Sequence, residues 1–397
     1  SRLPLLKKAF QSFNLYADNT EKLAFRNFLK EQSKWINDYS LFRAIKANRD
    51  QKPWYQWEDP LKKREPEAIT AIQTVLHEEI DFHKFMQFIF FKQWTTVREY
   101  AFTHRIKIIG DIPLYVALDS ADAWANPEIF EFDQNLNPIR VGGVPPDYFS
   151  ATGQLWGNPL FRWDVLKDTG YRWWIDRIRT NLYLYDFIRI DHFRGFAAYW
   201  AVPYGDKTAV RGEWINCPGK EFFEAMRKEF GDLPIIAEDL GVITPDVEEL
   251  RDGFGLPGMK ILQFAFDSSE ANDYLPHNYV KNCIVYTGTH DNDTVTGWFN
   301  QATDDDHKQV LEYLNSTGQE IHWSFIRLAW ASVAYTAIVP MQDLLGLDTT
   351  ARMNLPGTTQ NNWQWRAMPG VFTQELAAKL AHLTELYGRT AKPKITN

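Results

Sequence analysis

Three carboxylates stand at the ends of short apolar runs. Asp191 closes Phe187-Ile188-Arg189-Ile190, Glu238 closes Ile235-Ile236-Ala237, and Asp291 closes the run from Cys283 through Thr287 to His290. Breaking an acetal through an oxocarbenium-like transition state needs one protonated carboxyl group for the leaving oxygen and one ionised carboxylate for the anomeric carbon. Their surroundings must push the two pKa values apart. Arg189 lies two positions before Asp191, so in a strand both side chains share a face. An opposite charge there favours the carboxylate form a nucleophile requires. Glu238 follows three apolar residues and has no cation within three positions, so desolvation would raise its pKa as a general acid needs. The pattern points to chemistry at a glycosidic bond.

These acids require elements that bring them to one mouth. Apolar runs with few polar interruptions read as strands buried on both faces, as in a parallel sheet shelled by helices. Six such strands are expected: Ile106 to Ile109, Tyr185 to Arg189, Pro234 to Ala237, Met259 to Phe266, Ile284 to Thr287 and Ala337 to Met341. Helices are expected near Lys220 to Phe230, Pro245 to Arg251 and Trp323 to Tyr335, and one or two long ones between Glu67 and His104. This alternation gives an α/β fold, and the size allows one large barrel with insertions or two to three smaller domains. A closed (β/α)8 TIM barrel needs eight strands, and six are visible. About 80 residues separate the strand near Ile109 from the one ending at Asp191, twice the length of a helical crossover. A lid insertion over about 115–180, rich in Gly, Pro and aromatics, is therefore expected at the mouth. Residues 1–65 read as a helical insertion, and 66–397 as the catalytic barrel portion.

Composition narrows the partners. The 43 basic and 51 acidic residues are evenly mixed, with a net charge of -8, which argues against nucleic acid, since a phosphate backbone draws concentrated Lys and Arg. The longest apolar stretch, around Trp330 to Met341, is far short of the ~20 residues that cross a bilayer and reads as a buried strand, so no membrane association is expected. Cys217 and Cys283 are too few for a disulfide framework, which makes a reducing cytoplasm the default location. No metal pattern and no cofactor motif appears. The chain starts at Ser1 without an initiator Met and reads as trimmed or partial. Nothing in it speaks to oligomeric state.

Each feature also has an ordinary structural reading. An Asp beyond a strand often caps the next helix, as Asp239 and Asp293 would do. Arg189 with Asp191 could be a structural ion pair, and His192 and His290 could be hydrogen-bonded imidazoles. Most of the aromatic residues, 15% of the chain, must simply be core. Trp156 in a Gly-flanked loop is the exception, because exposed loops seldom keep a large aromatic without a contact to make.

The strand endings Gly110-Asp111-Ile112-Pro113, Arg189-Ile190-Asp191-His192-Phe193-Arg194-Gly195, Ala237-Glu238-Asp239-Leu240-Gly241 and Thr289-His290-Asp291-Asn292-Asp293-Thr294 resemble the four signature segments of the 4-alpha-glucanotransferases. That family, also called amylomaltases or disproportionating enzymes, sits in the alpha-amylase clan. The stretch Gly142 to Pro159 and the tail Ala351-Arg352-Met353-Asn354-Leu355-Pro356-Gly357-Thr358 resemble it too. The resemblance implies a (β/α)8 barrel lacking its first two strands here, with about a hundred family residues preceding the point where this chain starts. It implies that Asp191 is the nucleophile, Glu238 the acid/base and Asp291 the transition-state stabiliser. Arg189 and His290 would support the bond-breaking subsite. Asp111, Asp147, Trp156 and Asn362 would contact glucose units, and Tyr148 and Phe264 would form an acceptor-side platform. The substrate implied is an α-1,4-glucan or maltooligosaccharide. Two rivals stay open: a retaining hydrolase with the same carboxylates, and a catalytically inactive glucan-binding protein that uses the aromatic lid for grip.

Overall fold

The apolar periodicity between Glu67 and His104 resolves into two helices, Pro66–Val75 and His77–Thr103. On the longer one Phe82, Phe85, Phe88 and Phe91 recur every three residues and form one stripe. They pack against Phe10 of helix Leu3–Tyr16 and Phe28 of helix Asn19–Glu31. Burying each ring is worth about 1.5–3 kcal/mol, and the contacts are tilted, with Phe28 and Phe91 centroids 5.2 Å apart. The second helix starts where the Asp18 side chain accepts from the Glu21 backbone N–H, which satisfies an otherwise orphaned donor. This computed structural model describes residues 2–146, 150–266 and 272–390. The chain forms two units, Ser1–Ile235 and Ile236–Asn397, each with its own apolar core.

In the first unit the strands are β1 (Ile109–Pro113), β2 (Arg140–Val144), β3 (Gln154–Pro159), β4 (Phe187–Asp191), β5 (Ala198–Pro203) and β6 (Glu213–Asn216). β1 and β4 are parallel, with Asp111 opposite Arg189 and Pro113 opposite Asp191. The long helix anchors their entry. Trp94 Nε1 donates to the Leu184 carbonyl at 2.8 Å, and Arg98 Nη2 to that of Tyr185 at 3.2 Å. Gly110 is forced by the same close approach: a Cβ there would lie 2.1 Å from the Tyr185 ring. Ile188 donates to the Pro234 carbonyl at 2.9 Å, bringing the chain that enters β7 (Ile235–Ala237) alongside β4; β7 itself straddles the boundary between the units. The remaining strands form an antiparallel sheet in the order β3-β2-β5-β6.

The second unit holds β8 (Gly258–Ile261), β9 (Cys283–Tyr286) and β10 (Thr336–Ile338), parallel in the order β10-β9-β8. Leu262, Val285, Phe325 and Ile326 are fully buried at its centre. The fold is thus mixed α/β with parallel pairing, and each of the six expected strands has a counterpart. Three expectations are corrected. The first strand begins at Ile109 rather than ending there. The strand expected over Met259 to Phe266 stops at Ile261, where pairing with Tyr286 ends and the chain tightens into a 3-10 turn, Leu262–Phe266. The stretch from Trp330 to Met341 is not one buried strand: helix Ile321–Ala331 takes its start, and only Thr336–Ile338 pairs. The antiparallel sheet was not expected at all. Among the described residues no helix is long and apolar enough to cross a membrane.

Candidate active site

Parallel register builds the first cluster. Asp111 and Arg189 are direct partners across β1 and β4, and Arg189 and Asp191 share a face two residues apart. The buried guanidinium sits between two open carboxylates. Its Nη1 lies 2.6 Å from Asp111 Oδ2 and its Nη2 3.1 Å from Asp191 Oδ1. Arg189 is 8% exposed, whereas the Asp111 and Asp191 side chains are 41% and 45% exposed. A cation so placed fixes where each carboxylate points.

The turn after β4 is equally specified. His192 has φ 56°, the left-handed region a non-glycine residue seldom enters. Burial, with Arg194's charge in addition, pulls its pKa down to about 4, so the ring is neutral at neutral pH. It meets Trp156 of β3 edge to face, with centroids 4.7 Å apart. At Gly195 a Cβ would lie 2.2 Å from Leu114 Cδ2 and 3.1 Å from the His192 ring. Trp156 is 36% exposed beside this turn. Asp147 and Tyr148, expected to join it, lie outside the described residues.

The second unit carries the other two acids. Glu238 is half-buried directly after β7, whose Ile235, Ile236 and Ala237 are all buried. Asp239 next to it is no helix cap. Its carboxylate is buried, pairs with Arg251 Nη1 at 2.5 Å and accepts from the Met259 N–H at 2.7 Å. Gly258 must be glycine, since a Cβ would approach Asp239 Oδ2 to 2.3 Å. The residue after Glu238 is thereby locked into β8.

Asp291 sits in the loop after β9. Asn354 Nδ2 donates to its Oδ1 at 2.6 Å, and His290 Nε2 lies 3.3 Å from its Oδ2. Arg352 Nη2 donates to its carbonyl at 2.6 Å, and the Asn354 N–H to that of His290 at 3.1 Å. The His290 ring stacks obliquely on Trp363, centroids 5.1 Å apart, and Trp363 is 62% exposed. Thr294, not Asp293, caps helix Val295–Gln301, its hydroxyl accepting from the Gly297 N–H. Phe264 lies in the 3-10 turn, half-buried and edge-on to Tyr274 at 5.4 Å. Asn362 uses its amide within the tail loop, accepting from the Leu355 N–H and donating to Thr358. Arg352 and Asn354 are functional candidates that sequence reasoning did not single out. They stand 61 and 63 positions from Asp291, and only their place in the tail motif hinted at them. Among the described residues no group of three His, Cys, Asp or Glu could hold a metal ion.

The chain resembles known proteins over most of its length. The family model described as 4-alpha-glucanotransferase, glycoside hydrolase family 77, matches residues 1–371. A 4-alpha-glucanotransferase of Synechocystis is 53% identical over 389 residues, 97% of this chain and 77% of that protein. One from Thermus thermophilus is 48% identical, over 96% of this chain and 78% of that protein. The amylomaltase of Streptococcus agalactiae, solved in complex with acarbose, superposes with a TM-score of 0.95 at 40% identity, covering 98% of this chain and 79% of that one.

Proposed function

The chain belongs to the 4-alpha-glucanotransferase family, and on that premise we propose that it transfers α-1,4-glucan segments between maltodextrins by a retaining double displacement. Asp191 attacks the anomeric carbon while Glu238 donates its proton to the departing glycosidic oxygen, so the C–O bond to the leaving glucan breaks as the glucosyl ester forms. The 4-hydroxyl of a second glucan then displaces Asp191, giving its proton to Glu238 and restoring both carboxyl groups. Asp291, with His290 beside it, holds sugar hydroxyls through the transition state. Retention requires the carboxyl groups of Asp191 and Glu238 to stand about 5–5.5 Å apart.

The observation that carries this reading is the buried Arg189 bridging Asp111 and Asp191 at paired strand tips. A purely structural ion pair would have no need to leave both carboxylates open to solvent. In the same reading the parallel strands belong to a (β/α)8 barrel, residues 1–65 form a helical insertion, and 66–397 form the catalytic portion with its lid over about 115–180. Asp111, Trp156 and Asn362, with Asp147, contact glucose units. Phe264 and Tyr148 face the acceptor. The free thiols Cys217 and Cys283 suit a reducing cytoplasm.

Incubating the full-length protein with maltotriose tests the proposal. A ladder of longer oligomers plus glucose, with the number of reducing ends unchanged, is expected from transfer. Net loss of linkages would make the protein a hydrolase, and failure of a fluorinated glycoside to label Asp191 would remove the covalent step.

A further inference from the structure

Asp343 takes no part in the chemistry above, yet it is a carboxylate 1% exposed in a short helix, Met341–Leu344. Its two oxygens serve two distant points of the chain. Thr287 Oγ1 donates to Oδ2 at 2.6 Å, and the Val295 N–H donates to Oδ1 at 2.8 Å. Thr287 is the first residue beyond β9, and Val295 is the first residue of helix Val295–Gln301. Between them runs the loop that bears His290 and Asp291. We infer that Asp343 is a positioning residue for the transfer reaction, pinning both ends of the Asp291 loop with one carboxylate. The inference rests on the proposed role of Asp291.

The loop is tied internally as well. Thr289 donates from its N–H and its hydroxyl to Asn292 Oδ1 at 2.9 and 2.8 Å, and that hydroxyl accepts from the Asp291 N–H at 3.2 Å. Gln263 Nε2 donates to the Asp293 carbonyl at 2.8 Å. These bonds fix the shape of the loop, and the Asp343 carboxylate fixes its ends. The segment that follows Asp343 completes the grip: Thr349 Oγ1 donates to Asp293 Oδ2 at 2.7 Å, and Arg352 and Asn354 hold Asp291 itself.

The choice of a carboxylate is costly. Burial, with the nearby Asp293 charge adding to it, raises the Asp343 pKa to about 6. An apolar side chain of similar size would avoid that cost but accept from neither Thr287 nor Val295. Hydrogen bonds to an ionised acceptor are shorter and stronger than neutral ones. That is the property a loop needs when a displaced catalytic group lowers the rate steeply.

The test uses the full-length protein carrying Asp343→Asn, Asp343→Ala or Thr287→Val, with Asp291→Asn beside them. Disproportionation kinetics and amide hydrogen exchange over 288–294 are measured in each. For Asp343→Ala, kcat should fall between about 10- and 100-fold, the scale of a misplaced catalytic group. KM should move less than about threefold, since positioning acts on the reacting geometry, and loop exchange should quicken. Asp343→Asn, which keeps an acceptor for Val295, should recover part of the rate. If Asp343→Ala does not fold, Asp343→Asn and Thr287→Val carry the test, both slower than wild type with faster loop exchange. Wild-type kcat or unchanged loop exchange in the folded variants would overturn the inference. A wild-type rate for Asp291→Asn would instead overturn the assignment of Asp291, while the exchange data would still decide whether Asp343 holds the loop.

Discussion

Replacing Arg189 by Leu removes the guanidinium while keeping an aliphatic stem of similar reach. Breaking a buried ion pair usually costs about 3–5 kcal/mol, because a charge is left behind in a dry site. Here the buried partner is the one removed, and the stranded carboxylates, 41% and 45% exposed, stay hydrated. The orphan penalty is therefore small. What is lost includes the hydrogen bond to Asp111 and the ion pair with Asp191, charge-assisted contacts worth about 1.5–3 kcal/mol each when fully buried and about 1–1.5 after discounting for exposure. The Asp191 contact is the one made to the attacking carboxylate, and at 1.36 kcal/mol per decade its loss alone lowers kcat/KM about tenfold. The acid limb of the rate profile should move to higher pH, since the cation that favours the ionised nucleophile has gone. Arg189→Lys, a point charge that cannot fork to both acids, should fall between Leu and wild type. Glucose released from maltotriose, followed across the pH range, measures all three. An Arg189→Leu enzyme within twofold of wild type with an unmoved acid limb would refute the reasoning.

Glu238→Gln should lower kcat by about 100-fold or more, the usual contribution of general acid–base catalysis; a rate within a few-fold of wild type, read by the same glucose assay, would exclude Glu238 as the proton donor. Asn354→Ala removes the 2.6 Å bond to Asp291 Oδ1, and because that carboxylate is partly solvated the expected loss is about 1–1.5 kcal/mol, near tenfold in kcat with KM little changed. Gly110→Ala sets a methyl 2.1 Å from the Tyr185 ring and should destabilise by about 1–3 kcal/mol, seen as a lower urea midpoint. Asp343→Asn should show opposite signs in activity and stability. The folded pKa of Asp343, about 6, stands above its ordinary 3.8, so its stabilising contribution is whole below about pH 3.8 and lost as pH rises through about 6. At 1.36 kcal/mol per unit the wild type carries a penalty of up to about 3 kcal/mol above that. The urea midpoint of the variant relative to wild type should climb between about pH 4 and pH 7, and a flat difference would contradict the burial argument.

Hydrophobic pattern revealed β4, β7, β8 and β9 because each is a run of mostly buried residues that needs no partner to be recognised. Cys283–Tyr286, buried throughout, is the clearest. It misjudged Leu262–Phe266, which is as apolar as a strand but lies in a turn, because burial and extension are separate properties. The antiparallel sheet escaped for the opposite reason. Arg140–Val144 contains two glycines and Gln154–Pro159 carries Gly157 and Pro159, so both read as lid, and only the pairing of the first with Ala198–Pro203 and of the two with each other makes them strands. At the site, Arg189 and Asp191 were legible from spacing alone. Their third partner, Asp111, was legible only through the family resemblance, since register across 78 positions leaves no local mark. Arg352, Asn354 and Asp343 left less still: each touches the Asp291 loop from a stretch whose own sequence advertises a turn and a short helix.

Because residues 341–354 and 287–295 are bound to one another at six points, they behave as a single cassette. Grafting one from a relative without the other would leave a foreign loop on a native clasp. Redesign of product length or acceptor choice around Asp291 should therefore exchange the two stretches together.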